Sequence, residues 1–358
     1  EHGVTLDLTR TPGAHEREAD WSADGKRVAY VSDESGEEEI WTRNADGTDA
    51  RMLTRGVIGR LYAPRWSPDG KHIAFVDSAN HIHLLDATGG NAEKTIAQDA
   101  SVNRRDYTWS PGSHYLAYSL TDKDTQQSRL FVFDVVAGKA TELGREYFDA
   151  FSPAFTADGK YLYFLGNREW APLMSQAELD FAANRTTQIL AYALRPGVAD
   201  PFAPRNDSAT GDDNGKADQH DDKADKKSKS EAAVDDRIDF AGIEQRAIRA
   251  PIDPDNVGWL AVTRKAILFA TGGAPYLGRT SVVATKVKAW SFKERKAEDV
   301  YTFKSRDAGG EGGGGGAALA LAGDGATLLL RDGEDFKAID VSAGKPEAKE
   351  VKLDGLFM

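Results

Sequence analysis

Hydrophobic and polar positions alternate along this chain in short runs that are bounded by turn residues. Four stretches repeat almost the same text: DWSADGKRVAY from Asp20, RWSPDGKHIAF from Arg65, TWSPGSHYLAY from Thr108 and AFTADGKYLYF from Ala154. Their first aromatic residues, Trp21, Trp66, Trp109 and Phe155, lie 45, 43 and 46 residues apart. Alternation with a period of two is typical of β-strands, and Asp-Gly between two such runs favours a tight hairpin.

Each repeat predicts four short strands. The aromatic residue ends the first strand and the apolar run after the turn forms the second. Third strands follow at Glu39 to Arg43, His81 to Asp86 and Leu130 to Val135, and fourth strands at Arg51 to Thr54, Glu93 to Ile96 and Ala140 to Leu143. Four strands in a repeat of roughly 40 to 50 residues are the pattern of a β-propeller blade. A β-sandwich gives no reason for one text to recur at constant spacing. We therefore predict an all-β propeller of four-stranded antiparallel blades.

Two degenerate repeats complete a count of six blades, with Leu260 and Leu321 at the position of the aromatic residue. Val4 to Thr9 is left over, and we interpret it as the last strand of a further blade whose first three strands are absent from this chain. We assign residues 1–358 to a single propeller domain.

Two insertions account for the extra length. Residues 205–237 contain no large apolar residue except Val234, so this segment cannot bury enough surface to offset the entropy of ordering, and we predict a disordered loop. The stretch from Ile238 to Ile252 alternates again and is predicted to be the outer strand of the interrupted fourth blade. The glycine-rich residues 309–316 are predicted to be a flexible loop.

The amino-acid composition excludes several classes of function. The formal net charge is -12, and the basic residues are scattered among carboxylates, so binding to nucleic acid is not expected. No run approaches the roughly 18 apolar residues of a membrane span, so no membrane partner is expected. The absence of cysteine excludes disulfides, thiolate metal sites and cysteine nucleophiles. Because the chain begins with Glu1, we expect that the start of the natural protein is missing.

Candidate chemical motifs are few. There is no G-x-S-x-G element, and the spacing of Ser, His and Asp residues implies no catalytic triad. The segment from Gly273 to Thr280 nearly matches a phosphate loop, but a strand pattern follows it where a helix is required. His81 and His83 lie on one strand face, as a metal pair could, yet the spacing implies no third ligand and we interpret them as a solvated face. We predict no catalytic residue, cofactor site or metal site.

The text WSPDGK-x-[IL]-A-[YF] resembles the repeat of TolB-like propellers, of prolyl oligopeptidase propellers and of tricorn-type proteases. Two longer stretches distinguish among them: Leu8 to Trp41, and YLYFLGNREW at Tyr161 followed by DFAGIEQRAIRAPI at Asp239. These are similar to the second, seven-bladed propeller of bacterial tricorn-type serine proteases. The resemblance implies that this chain is one segment of a peptidase, followed in the same polypeptide by PDZ and catalytic domains, and it leaves a homo-oligomer open.

In that family the propeller is regarded as a channel for oligopeptides, and the resemblance implies a cytoplasmic protein, with the periplasm as the alternative. The segments before each inner strand would surround the channel mouth. They are rich in long polar side chains, and our candidates for peptide contact are His15, Glu16, Arg17, Arg60, Tyr62, Arg104, Arg105, Asp106, Tyr147 and Asp149. Arginine can bind a carboxylate through two parallel hydrogen bonds. A merely solvated polar rim is the other interpretation of these residues.

Two other functions stay open at this point. A TolB-like propeller would act only as a platform for protein–protein interaction. The lid of a prolyl oligopeptidase relative would require an α/β-hydrolase continuation with its own nucleophile elbow. The residues that follow Met358 in the source gene would distinguish these possibilities.

Overall fold

The described strands form six four-stranded antiparallel sheets, which makes the protein a six-bladed β-propeller. The computed structural model describes residues 7–57, 59–89, 93–100, 106–144, 149–169, 172–174, 181–204, 234–273, 283–304, 318–342 and 346–351. In five blades the strands follow one another in chain order. In the fourth, a small hairpin and a long connection interrupt that order.

Blades 1 to 3 comprise β1 (Glu16–Trp21), β2 (Arg27–Ser32), β3 (Glu39–Asn44), β4 (Arg51–Met52), β5 (Leu61–Trp66), β6 (His72–Asp77), β7 (His81–Asp86), β8 (Glu93–Gln98), β9 (Tyr107–Trp109), β10 (Tyr115–Thr121), β11 (Ser128–Asp134) and β12 (Lys139–Leu143). The strands predicted from the repeats are thus found within two residues of their expected starts.

Blades 4 to 6 comprise β13 (Ala150–Phe155), β14 (Tyr161–Asn167), β17 (Thr187–Ala193), β18 (Ala247–Arg249), β19 (Val257–Val262), β20 (Ala266–Thr271), β21 (Lys286–Ser291), β22 (Ala297–Thr302), β23 (Ala318–Leu321), β24 (Thr327–Asp332), β25 (Asp335–Asp340) and β26 (Ala348–Glu350). The hairpin is β15 (Pro172–Met174) with β16 (Phe181–Ala183), and a 3₁₀ helix spans Ile243–Arg246. The first strand of one blade contacts the first strand of the next in the pairs β1 with β5, β9 with β13 and β13 with β19. Since blades diverge outwards, these are the inner strands.

The repeated motif builds the turn between the first two strands of a blade. In blade 2 the Ser67 hydroxyl donates to Asp69 at 2.7 Å and accepts from the backbone N–H of His72 at 2.9 Å. Gly70 takes the left-handed conformation, φ 70°, that this turn requires. The same bonds recur at Ser22 and Asp24 in blade 1. The motif therefore specifies the turn in these two blades.

The core consists of apolar layers between neighbouring blades. Trp66 packs against Val31 and Ile40 of the preceding blade, and Trp109 packs against Ala74 and Val76 in the same way. Similar clusters join blades 3 and 4, 4 and 5, and 5 and 6. None of the clusters found in the described residues joins blade 6 to blade 1. The tryptophan of the repeat is thus an interblade residue in blades 2 and 3.

Several expectations need correction or stay open. The outer strand of blade 4 is only Ala247–Arg249, shorter than predicted, because the 3₁₀ helix and an extended segment occupy the rest. Residues 4–6 of the predicted remnant strand lie outside the described residues, and residues 7–9 form no strand. Residues 205–233 and 309–316 also lie outside the described residues. The assignment of the whole chain to one domain stays a prediction. No helix in the described ranges is long and apolar enough to cross a membrane.

The last residues of the 205–237 insertion contact distant blades. Asp236 has a side chain only 1% exposed, and it accepts hydrogen bonds from Ser110 and Gly112 of blade 3. The Arg195 guanidinium holds the same segment by donating to the carbonyls of Asp235 and Arg237 at 2.8 and 2.9 Å. Before the insertion, the Arg295 guanidinium donates to the carbonyls of Phe202 and Ala203 at 3.1 and 2.5 Å. Local composition could not predict these contacts with distant blades.

Candidate functional site

The inner strands carry a bulge near their first residues in blades 1, 2 and 4. Glu18, Ala63 and Ser152 occupy equivalent places and have left-handed backbones, with φ of 54°, 49° and 51°. A bulge leaves a residue unpaired within its own sheet and redirects its backbone groups. Here the freed N–H groups of Ala63 and Ser152 point to the preceding blade.

Acidic side chains accept these N–H groups across the seams between blades. Asp106 accepts from the N–H of Ser152 at 2.6 Å, and its second oxygen accepts the hydroxyl of Ser119. Glu18 accepts the N–H of Ala63 in the same manner. Asp106, a predicted peptide contact, therefore joins blade 3 to blade 4.

Arg17 lies in the seam between blades 1 and 2. Its guanidinium donates to Glu18 at 2.8 Å and also to Glu38, and it stands 5.1 Å from the ring centre of Tyr62. Glu38 in turn accepts the N–H of Leu61 at 2.8 Å. The structure thus brings the candidates Arg17 and Tyr62 together, but it engages Arg17 in ion pairs within the protein.

The other candidates differ in what they contact. His15 pairs with Asp33 at 3.2 Å with its side chain 88% exposed, and Glu16 accepts the hydroxyl of Thr11. Asp149 accepts from the N–H of Ser128 at 2.8 Å and from the side-chain amide of Asn167 at 2.9 Å, so it is held within the scaffold.

Arg60 is exposed and makes no ion pair with another described residue, which leaves it available to a solute. Arg104, Arg105 and Tyr147 lie outside the described residues. The repeat pattern did not identify Glu38, because it precedes its strand in a run of three glutamates and has no counterpart acid in blade 2.

A cluster at the end of blade 2 groups Asp77, His81 and His83. Asp77 Oδ2 lies 2.8 Å from His81 Nδ1 and 3.0 Å from His83 Nε2. The interpretation of the two histidines as a solvated face is wrong for His83, which is buried. The sequence pattern did contain a signal for this cluster, which was the acidic residue Asp77 at the end of the preceding strand. The hairpin between the two strands brings the histidines back beside this carboxylate.

The carboxylate of Asp77 is stabilised in its charged form. Burial acts to raise its pKa, but the N–H of His81 and the imidazoles of His83 and His81 outweigh burial and hold the pKa of Asp77 below its ordinary value. Of the groups in the described residues that could hold a cation, this cluster alone combines two imidazoles with a carboxylate.

Comparison with known proteins identifies the family. A family model described as the tricorn protease second beta propeller domain matches residues 1–342. Tricorn protease homolog 1 of Streptomyces coelicolor is 28% identical over 211 residues, which cover 57% of this chain and 19% of that protein. The tricorn protease homolog of Saccharolobus solfataricus is 22% identical over 348 residues, covering 96% of this chain and 28% of that protein.

A crystal structure of the tricorn protease superposes on this fold with a TM-score of 0.73 at 18% identity, covering 96% of this chain and 31% of that chain. The chain thus spans less than a third of the length of these relatives. With its repeats, its six sheets and the match over residues 1–342, the chain belongs to the family of tricorn protease second β-propeller domains.

Proposed function

We propose that this propeller is the peptide channel of a tricorn-type serine protease, through which oligopeptides approach or leave catalytic domains located downstream in the same polypeptide. The observation that carries this proposal is the family match over nearly the whole chain. Inner strands that converge on an axis would leave a passage suited to an extended peptide.

The arrangement of Ser, His and Asp side chains supports placing catalysis elsewhere. A catalytic triad needs the imidazole between the serine and the carboxylate. Ser110, Asp236 and His114 meet in blade 3, but there the carboxylate is in the middle, bonded to the hydroxyl at 2.6 Å and to the imidazole at 2.7 Å. This group cannot activate its serine by the triad mechanism.

We further propose that a seventh blade lies between blades 6 and 1 in the intact protein. Trp21 occupies the position at which Trp66 contacts the preceding blade, yet it is 50% exposed, whereas Trp66 is 7% exposed. On blade 6, Leu328 and Leu330 pack towards blade 5, and Leu329, on the opposite face of the strand, is 45% exposed. Two uncovered apolar faces are what an additional blade would bury.

The proposal that catalysis lies in the downstream domains is tested by comparing two purified proteins on fluorogenic, unstructured peptides. The present chain should show no turnover, and the natural polypeptide extended through its downstream region should hydrolyse the peptides. Turnover by the present chain would overturn the proposed location of catalysis. A natural gene without any peptidase continuation would favour the TolB-like interaction platform instead.

The channel role is tested separately at Arg60 in the extended polypeptide. Arg60→Glu should change the ratio of kcat/KM for acidic and basic peptides by about threefold or more, because charges near a passage alter the approach of charged solutes. Lys139→Glu, on an exposed outer strand, changes charge equally and should leave the ratio unaltered. Equal ratios in wild type, Arg60→Glu and Lys139→Glu would remove Arg60 from the channel.

A further inference from the structure

We propose that Asp77, His81 and His83 form a binding site for a divalent transition-metal cation, best suited to Zn²⁺. This differs from the sequence prediction of no metal site. The site lies at the end of blade 2 where Leu61 of the inner strand pairs with Asp77, and hence on the same side of the blade as Arg60.

The three ligand atoms are already close enough to share an ion. Asp77 Oδ2, His81 Nδ1 and His83 Nε2 lie within 4.8 Å of one another, and the carboxylate oxygen is 2.8 and 3.0 Å from the two nitrogens. A tetrahedral zinc ion about 2.1 Å from each ligand separates ligand atoms by about 3.4 Å. The two carboxylate–nitrogen distances are therefore within about 0.6 Å of the separation that the ion requires.

Each buried ligand is oriented by further contacts. Asp77 Oδ1 accepts from the N–H groups of Ala79 and His81, both at 2.9 Å, which leaves Oδ2 directed at the imidazoles. His83 Nδ1 lies 2.7 Å from Glu93 Oε1, and its ring stacks on Phe75 at 4.8 Å between centres. A carboxylate behind a histidine is the arrangement that orients metal-bound imidazoles in proteins.

Charge and exposure also favour a cation. His83 lies between the carboxylates of Asp77 and Glu93, and its side chain is only 7% exposed, so the acidic charge there is poorly screened by solvent. A divalent ion would balance both carboxylates. His81 is 33% exposed and provides an opening to solvent. Two imidazoles with one carboxylate select Zn²⁺ or Co²⁺ over Mg²⁺ and Ca²⁺, which prefer oxygen ligands.

The test is titration calorimetry of the full chain, treated with chelator and dialysed, with Zn²⁺ and separately with Co²⁺. We expect one ion per chain, with a visible Co²⁺ absorption band of the intensity typical of four-coordinate sites. His81→Ala should weaken binding by more than about tenfold, and Glu93→Gln, which alters only the support of His83, by about 10- to 100-fold. Asp77→Asn provides a second ligand variant if His81→Ala does not fold by circular dichroism.

The matched control is His114→Ala. His114 also pairs with an aspartate at 2.7 Å and is 59% exposed, but among the described residues it joins no second imidazole in a group that could hold a cation. Its substitution should leave the affinity unchanged. The proposal is overturned if the folded wild type binds neither ion, if both ligand variants bind as the wild type does, or if His114→Ala weakens binding as much as they do.

Discussion

The hydroxyl of Ser110 donates a hydrogen bond at 2.6 Å to the carboxylate of Asp236, which lies 126 residues away in the chain. In blades 1 and 2 the equivalent serine bonds to an aspartate of its own turn, Asp24 or Asp69. Blade 3 has Gly112 at that position, and the Gly112 N–H donates to the same oxygen of Asp236 at 2.9 Å. Asp236 therefore supplies from the far end of an insertion the carboxylate that this turn lacks.

Replacement of Asp236 by Ala should destabilise the protein by about 1–3 kcal/mol, because it leaves the buried hydroxyl of Ser110 and the part-buried N–H of Gly112 without this acceptor. Urea unfolding followed by circular dichroism measures the change. Asp253→Ala, at an exposed aspartate, is the control and should stay within about 0.5 kcal/mol of wild type. Equal stabilities for the two variants would refute a role for Asp236 in holding the turn.

Gly112→Asp should rescue that loss. Alone it should be destabilising, because a Cβ at Gly112 would lie 2.5 Å from an oxygen of Asp236. Combined with Asp236→Ala, the new carboxylate has room and can accept the hydroxyl of Ser110, as Asp69 does for Ser67 in blade 2. A double-mutant cycle should therefore give a coupling of about 1 kcal/mol or more. If the double variant instead loses the sum of the two single-variant losses, the new carboxylate does not replace that of Asp236.

Trp66→Ala should cost about 3–5 kcal/mol, since it opens a cavity in the layer between blades 1 and 2. Trp21→Ala removes the same side chain from the equivalent position of blade 1, where it is 50% exposed, and should cost far less. The two unfolding free energies are measured in the same denaturant. Similar losses would mean that Trp21 is covered in solution.

The turn aspartates should make the fold sensitive to acid. Burial acts to raise the pKa of Asp69, but the hydroxyl of Ser67 and the N–H of Lys71 outweigh it and hold the pKa below the ordinary 3.8. As the pH falls, Asp69 is therefore protonated in the unfolded chain before it is protonated in the folded protein. The contribution of its carboxylate to the free energy of unfolding is present above pH 3.8 and is lost as the pH falls through the folded pKa.

Asp69→Asn keeps an oxygen that can accept from the Ser67 hydroxyl and the Lys71 N–H, but its side chain does not titrate. Its unfolding free energy should therefore fall less than that of the wild type between about pH 5 and about pH 3. Asp253→Asn serves as the control and should follow the wild-type curve. Parallel curves for wild type and Asp69→Asn would show that this carboxylate does not contribute to acid sensitivity.

The sequence predicted those features that depend on neighbouring residues, namely the strands and the turns. The strands and turns followed from alternation and Asp-Gly chemistry. Leu321 was correctly aligned with the aromatic residue, because it pairs with Leu328 as Trp66 pairs with Ile73. The alignment of Leu260 was wrong: Val262, which pairs with Ile267, occupies that position, because the turn of blade 5 is two residues shorter than that of blade 2. Relationships between distant segments were not predictable. The bond from Ser110 to Asp236 crosses a segment without any pattern, and the engagement of Arg17 by Glu38 depends on how one blade packs on the next.

The contacts of Arg295 and Arg195 have a practical consequence for engineering. One guanidinium fixes Ala203 where the chain leaves the ring, and the other fixes Asp235 and Arg237 where it returns. Neither contact involves the residues in between, and doubling the length of a loop generally costs only about 0.6 kcal/mol in closure entropy. A fluorescent protein or an affinity tag can therefore be inserted between these two anchors with the blades left intact.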